Sequence, residues 1–246
     1  MRLSSVVAAL ALTACSAAEP PKTASSQFLY VWSGDSARKA SDFLAVIDAS
    51  PTSPSYGEVV AAVPSGKAGS SPHHTEDALG ANSHLLANGF GAGETWLYDL
   101  SAPRTPKVLT SFTDRAGLSS PHSFTRLANG NVLATFQYAG GGPPRGAHAH
   151  GATPPARPAS PARTTGGLVE MSERGDVVRS GSAADTTIAD RYIYPYSVLP
   201  LPRFDRALST TTDMDEANEK ATSQWVQLWR LSDLKLLRSV ALPPGP

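Results

Sequence analysis

The chain has 246 residues, with 21 Lys+Arg balanced by 21 Asp+Glu for a formal net charge of zero, and 41% of it is apolar. This balance, with no basic stripe or aromatic-interleaved basic patch, points away from nucleic acid as a partner, while the apolar share supports a packed core. A single cysteine excludes an intramolecular disulfide and a cysteine-rich zinc site, and 21 prolines with 20 glycines imply many turns rather than long helices.

The N-terminus reads as a leader. Arg2 supplies a positive start, and residues 6–12 form an apolar run too short to span a bilayer. The run leads into Leu12-Thr13-Ala14-Cys15, small residues before a cysteine, as a lipoprotein signal peptidase requires. The expectation is a signal peptide over residues 1–14, a diacylglycerol on Cys15, and a polar, Pro-containing tether over residues 15–27. The protein is then anchored in the cell envelope facing the periplasm, with the outer membrane the expected site. An ordinary secretory leader with an incidental cysteine would release it instead. A mature chain without free thiol suits an oxidising compartment.

Beyond the tether, the apolar runs are short and rich in β-formers: residues 28–32, 43–47, 95–98, 132–136, 168–171, 207–211 and 226–229. Gly, Pro, Asn or Asp bounds each run, which predicts strands and tight turns. Second strands follow at 106–112, 176–180 and 234–240, and Asn129-Gly130 marks a hairpin turn. Only the polar stretch 216–222 competes as a helix. The class is all-β, and a recurring unit of about four short strands every ~50 residues predicts a β-propeller with about four blades over residues 28–246.

The histidines sharpen this register. Ser70-Ser71-Pro72-His73 and Ser119-Ser120-Pro121-His122 repeat with an offset of 49 residues. A third copy, Pro195-Tyr196-Ser197-Val198, places Tyr196 a further 74 residues on. The excess of 25 matches a Gly/Pro/Ala-rich insertion at about residues 140–165, whose composition buries too little apolar surface to fold.

Residues 30–35 (YVWSGD), 41–48 (SDFLAVID), 53–57 (SPSYG), 72–76 (PHHTE), 87–93 (ANGFGAG), 121–124 (PHSF), 129–137 (NGNVLATFQ), 166–170 (GGLVE), 212–214 (TDM) and 229–234 (WRLSDL) together resemble the selenium-binding protein / methanethiol oxidase family. The resemblance runs from Phe28 to Pro246 apart from the insertion. It implies a seven-bladed β-propeller of which this chain carries the N-terminal portion. It also implies copper held by histidines near the central channel, and oxidation of a small thiol: methanethiol with oxygen and water yields formaldehyde, hydrogen sulfide and hydrogen peroxide. Carried onto this chain, the implied copper ligands are His73, His74 and His122. Gly57 stands where animal members carry a cysteine proposed to bind selenium, so that route to selenium is closed. Family members are about twice this length and bring a further histidine from their C-terminal half. The expectation is therefore that a partner or a second copy supplies the missing blades, the alternatives being a non-catalytic metal- or selenium-binding or protein-interaction lipoprotein, or an inactive remnant.

Imidazole is a good ligand for copper, and a histidine-only site leaves room for a thiolate. Adjacent residues of a regular strand point to opposite faces, so His73 and His74 sharing one ion predicts a loop after Pro72. Glu76 and Tyr196 are candidates to support the ligands from outside, Glu76 by orienting an imidazole and Tyr196 as a neighbouring phenol. The plainer readings are packing or capping for His84, weak metal capture for His148 and His150, and core packing for Trp32, Trp96, Trp225 and Trp229. Asp99-Leu100-Ser101 and Leu231-Ser232-Asp233 read as turns.

Overall fold

The computed structural model describes residues 27–77, 79–140, 164–188, 193–212 and 225–243. Among the described residues, fifteen strands form four antiparallel sheets, each following chain order. Blade 1 has three strands: β1 (Phe28–Ser33), β2 (Phe43–Asp48) and β3 (Val59–Pro64). Blade 2 comprises β4 (Pro72–Thr75), β5 (His84–Gly89), β6 (Glu94–Asp99) and β7 (Lys107–Phe112). Blade 3 comprises β8 (Leu118–Arg126), β9 (Val132–Ala139), β10 (Thr164–Met171) and β11 (Val177–Ser182). Blade 4 comprises β12 (Pro195–Leu201), β13 (Arg206–Thr211), β14 (Trp225–Arg230) and β15 (Lys235–Ala241). The all-β, propeller-like class read from the sequence is the observed one.

The first strands of successive blades lie side by side, β1 against β4, β4 against β8, and β8 against β12. Apolar side chains from facing sheets fill the spaces between blades. Leu44 of blade 1 packs with Leu85, Ala87, Trp96 and Tyr98 of blade 2. Leu86, Leu97 and Phe112 of blade 2 meet Phe124, Val132, Phe136 and Met171 of blade 3. Leu133 and Leu168 of blade 3 meet Val198, Ala207 and Trp229 of blade 4. β5, β6 and β9 send alternate residues into two neighbouring layers, which is why period-two runs such as these became strands. Trp96 and Trp229 are buried core residues, and the Trp229 indole N–H donates to Ser209 Oγ at 2.9 Å; Trp32 and Trp225 are half-buried.

The Asn129-Gly130 turn closes β8 onto β9, with Leu127 and Asn131 bonded across it and Gly130 at φ 85°. The Gly/Pro/Ala-rich insertion falls between β9 and β10, and residues 141–163 lie outside the described residues. Its C-terminal boundary is earlier than expected: Thr164 and Thr165 pair with Ala139 and Tyr138 as the start of β10. Cys15, His148, His150 and the stretch 216–222 also lie outside the described residues. No helix among the described residues is long and apolar enough to cross a membrane.

The Ser-Pro-Ser-Tyr-Gly stretch wraps one carboxylate. Asp48 Oδ2 accepts from Ser53 Oγ at 2.7 Å and Ser55 Oγ at 2.6 Å, and Oδ1 accepts from the Ser50 N–H. Gly57 sits at φ 82°, a left-handed conformation that side chains resist, and donates its N–H to the Asp48 carbonyl.

Candidate metal centre

His73 and His74 lie in strand β4, where a loop had been expected. A β-bulge reconciles strand and cluster. Pro72 pairs with Gly89 and Thr75 with Ala87, so three steps on β4 match two on β5. The extra residue breaks the alternation of faces, and the two neighbouring imidazoles come to one side. The same offset recurs in β8, where Pro121 pairs with Phe136 and Phe124 with Ala134. It recurs again in β12, where Pro195 pairs with Thr211 and Val198 with Ser209. The repeated Pro-His, Pro-His and Pro-Tyr segments are thus one backbone device used on three consecutive blades. Ser71 and Ser120, each just before the proline, share a left-handed φ of 55° and 56°.

The bulges bring the three histidines together. One nitrogen from each of His73, His74 and His122 lies within 4.8 Å of the others. His73 Nε2 and His122 Nε2 are 3.0 Å apart. His122 is fully buried and its Nδ1 lies 2.7 Å from the Tyr196 carbonyl oxygen. A carbonyl only accepts, so Nδ1 carries a proton, and Nε2 is the nitrogen turned toward the cluster, where it can offer a lone pair to a metal. His74 Nε2 is buried with no hydrogen-bond partner. Burial holds the His74 imidazole below its ordinary pKa, partly opposed by the charge of Asp77, so the ring favours the neutral form that ligates metals.

These donors fit a metal ion. Imidazole nitrogens about 2.0 Å from one ion lie about 2.9 Å apart at right angles and about 4 Å apart when opposed. The 3.0 Å pair matches the first, and the widest spacing of the cluster, within 4.8 Å, exceeds the second by less than about 1 Å. A buried imidazole nitrogen without a partner is costly unless something occupies it. An all-imidazole donor set suits copper, zinc, nickel or iron.

Aromatic rings enclose the cluster. Phe90, fully buried, lies 5.6 Å from His73 and 5.3 Å from His122 between ring centroids. Tyr196 lies 4.1 Å from His122 between ring centroids, tilted by 46°, and stands 5.6 Å edge-on from His74. Its ring therefore borders the site, while its backbone carbonyl fixes the His122 tautomer. Glu76 is placed differently from expectation. Its Oε2 accepts from the Leu86 N–H at 2.9 Å and from Arg126 at 3.2 Å, and Oε1 lies 2.8 Å from Arg126 Nε. It ties blade 2 to blade 3 through Arg126, and no imidazole is among these partners. His84 Nδ1 meets Glu173 Oε1 at 2.8 Å in the same ion cluster and is not grouped with the three histidines.

Sequence reading gave no role to Asn88, a fully buried residue of β5 opposite the first bulge. Its Oδ1 accepts the His74 N–H at 2.6 Å, and its Nδ2 donates to the carbonyls of Pro121 and His122 at 2.9 and 3.1 Å. Its place inside Ala87-Asn88-Gly89-Phe90-Gly91 was the available signal. There, glycines let the backbone approach the serines: a Cβ at Gly89 would come within 2.6 Å of Ser70, and one at Gly91 within 2.7 Å of Ser71 Oγ.

A cleft of about 560 Å³ opens beside His73 between blades 1 and 2, lined by Gly34, Asp35, Arg38, Asp42, Ser71 and Pro72 among others. Of the three histidines, only His73 lines it.

Together, the sheets and the cluster define a propeller-type protein with a three-histidine, metal-competent site on its innermost strands. Comparison with known proteins adds two relatives. The chain is 32% identical over 116 residues to a methanethiol oxidase of Hyphomicrobium sp., a match covering 43% of this chain and 25% of that protein. Its fold resembles a hypothetical selenium-binding protein from Sulfolobus tokodaii with a TM-score of 0.62 at 16% identity, covering 88% of this chain and 49% of that one. The chain thus spans about a quarter of the length of the oxidase and about half that of the structural relative. No family model matches.

Proposed function

We propose that His73, His74 and His122 bind one copper ion and that the protein is a thiol oxidase of the methanethiol oxidase type. The observation that carries this reading is the convergence of three imidazoles from two blades, one of them with a buried Nε2 that has no partner. The partial identity to a methanethiol oxidase supports the substrate class, and copper is the metal that the family resemblance implies. Bound copper would supply a redox centre and a soft-ligand position at which a small thiol is held as its thiolate. The chain's own groups do the rest. The Tyr196 carbonyl keeps the His122 proton on Nδ1, Phe90 and Tyr196 shield the cluster, and the cleft beside His73 admits a small substrate. Overall, methanethiol, oxygen and water give formaldehyde, hydrogen sulfide and hydrogen peroxide. The test is purified mature protein reconstituted with copper and assayed for methanethiol consumption and hydrogen sulfide release. Turnover that disappears in His122→Ala is expected; copper-loaded, folded protein without turnover contradicts the oxidase reading.

A second reading, a metal-holding module that works only with further blades packed on blade 4, is favoured by one feature. The outer face of that blade leaves Leu199 57% and Val240 43% exposed. It would show as one copper per chain with no thiol consumed. In either reading we place the protein on the envelope membrane through Cys15, which labelling with a radioactive or clickable fatty acid, lost in Cys15→Ser, would test.

A further inference from the structure

A single polar side chain stands opposite each of the three bulges, on the second strand of its blade: Asn88 on β5, Thr135 on β9 and Thr210 on β13. Each side-chain oxygen accepts the N–H of the second bulge residue: His74 to Asn88 at 2.6 Å, Ser123 to Thr135 at 3.0 Å, and Ser197 to Thr210 at 3.2 Å. Two of the three also reach forward and donate to the bulge of the next blade. Asn88 donates to the Pro121 and His122 carbonyls, and Thr135 Oγ1 donates to the Tyr196 carbonyl at 2.9 Å. These are serial latches: all three close a bulge, and the first two also grip the next.

The second latch bears on chemistry. The Tyr196 carbonyl that Thr135 grips is the one that receives the His122 Nδ1 proton. We infer that Thr135 and Asn88 are positioning residues of the histidine cluster. Thr135 sets, through the Tyr196 carbonyl, which nitrogen of His122 faces the other imidazoles, and Asn88 keeps the His74 and His122 bulges in register. The affinity part of this inference rests on the metal-centre reading; the tautomer part stands without it.

Thr135→Val removes the hydroxyl's hydrogen bonds to Ser123 and to the Tyr196 carbonyl at nearly constant shape, and Thr135→Ser restores the hydroxyl. The decisive measurement is the tautomer of His122 in metal-free, 15N-histidine-labelled protein, read at one pH from long-range proton–nitrogen couplings and assigned by the signal lost in His122→Gln. Wild type is expected as a single Nδ1–H tautomer, T135V as a mixture, and T135S as wild type. Cu(II) titration of the same samples is expected to show a 10–100-fold weaker site in T135V and in Asn88→Asp, the usual scale for losing a group that orients a ligand, with T135S recovering. A wild-type His122 carrying its proton on Nε2 overturns the inference without any variant, so a T135V that fails to fold does not shelter it. A folded T135V with the wild-type tautomer and affinity overturns it as well. If wild type binds no copper but T135V still shifts the tautomer, the metal reading falls and the positioning role stands.

Discussion

At the scale of single residues, burial and hydrogen bonding decide what each titratable group can do. His122 is buried against a carbonyl that holds its proton, and His74 is buried with one nitrogen unanswered. Glu173 shows the opposite balance. Burial pushes its carboxyl up, but hydrogen bonds from Asn82, Arg126 and His84 outweigh this and hold it at about 2. A carboxyl held below its unfolded value near 4.3 adds stability that is complete above about pH 5 and is lost as pH falls toward 2. Glu76, on the other side of Arg126, runs the other way, because burial pushes it up, so protonation there favours the fold. Glu173→Gln separates the two. It is expected to lower Tm at pH 7, with a deficit that shrinks as the pH approaches 2; a deficit of constant size across that range would remove Glu173 from the acid response.

At the scale of elements, the strands with alternating apolar residues were legible, because that alternation is the packing pattern between blades. The strands of residues 43–47, 95–98, 132–136, 168–171, 207–211 and 226–229 all fall within observed strands. The innermost strands of blades 2, 3 and 4 were not legible as such, unlike β1. Ser-Ser-Pro-His reads as a turn because it carries a proline and few apolar residues, yet β4, β8 and β12 start at or run through these segments. The bulge that gathers His73 and His74 was invisible for a deeper reason: it exists only in the register between two strands, and one strand's residues do not specify it. The repeat itself was readable, since His73, His122 and Tyr196 do occupy equivalent bulges once the insertion is set aside. Close backbone approach was readable only as glycine content. Gly181 in β11 is a case in point, because a Cβ there would overlap the Leu234 carbonyl oxygen of blade 4. Gly181→Ala is expected to cost about 1–3 kcal/mol, as overpacking does, measured as a lower denaturant midpoint at unchanged slope. A loss below about 0.5 kcal/mol, the range of ordinary surface changes, would mean the two blades separate there without penalty.

At the scale of the whole molecule, the blades matter because none of them builds the cluster alone. Blade 2 contributes His73 and His74, blade 3 contributes His122, and blade 4 contributes the carbonyl that orients His122 and the ring that covers it. The apolar layers between blades, the Glu76–Arg126–Glu173 ion cluster and the Asn88 and Thr135 latches all hold those three blades at one spacing. The most direct test is therefore electron paramagnetic resonance of the Cu(II)-loaded mature protein, wild type beside His73→Ala, His74→Ala and His122→Ala. One copper per chain with hyperfine structure from three imidazole nitrogens is expected, and each substitution should remove one nitrogen or abolish binding. Copper that is absent from the folded wild type, or a signal that all three substitutions leave unchanged, would contradict a metal centre at these histidines.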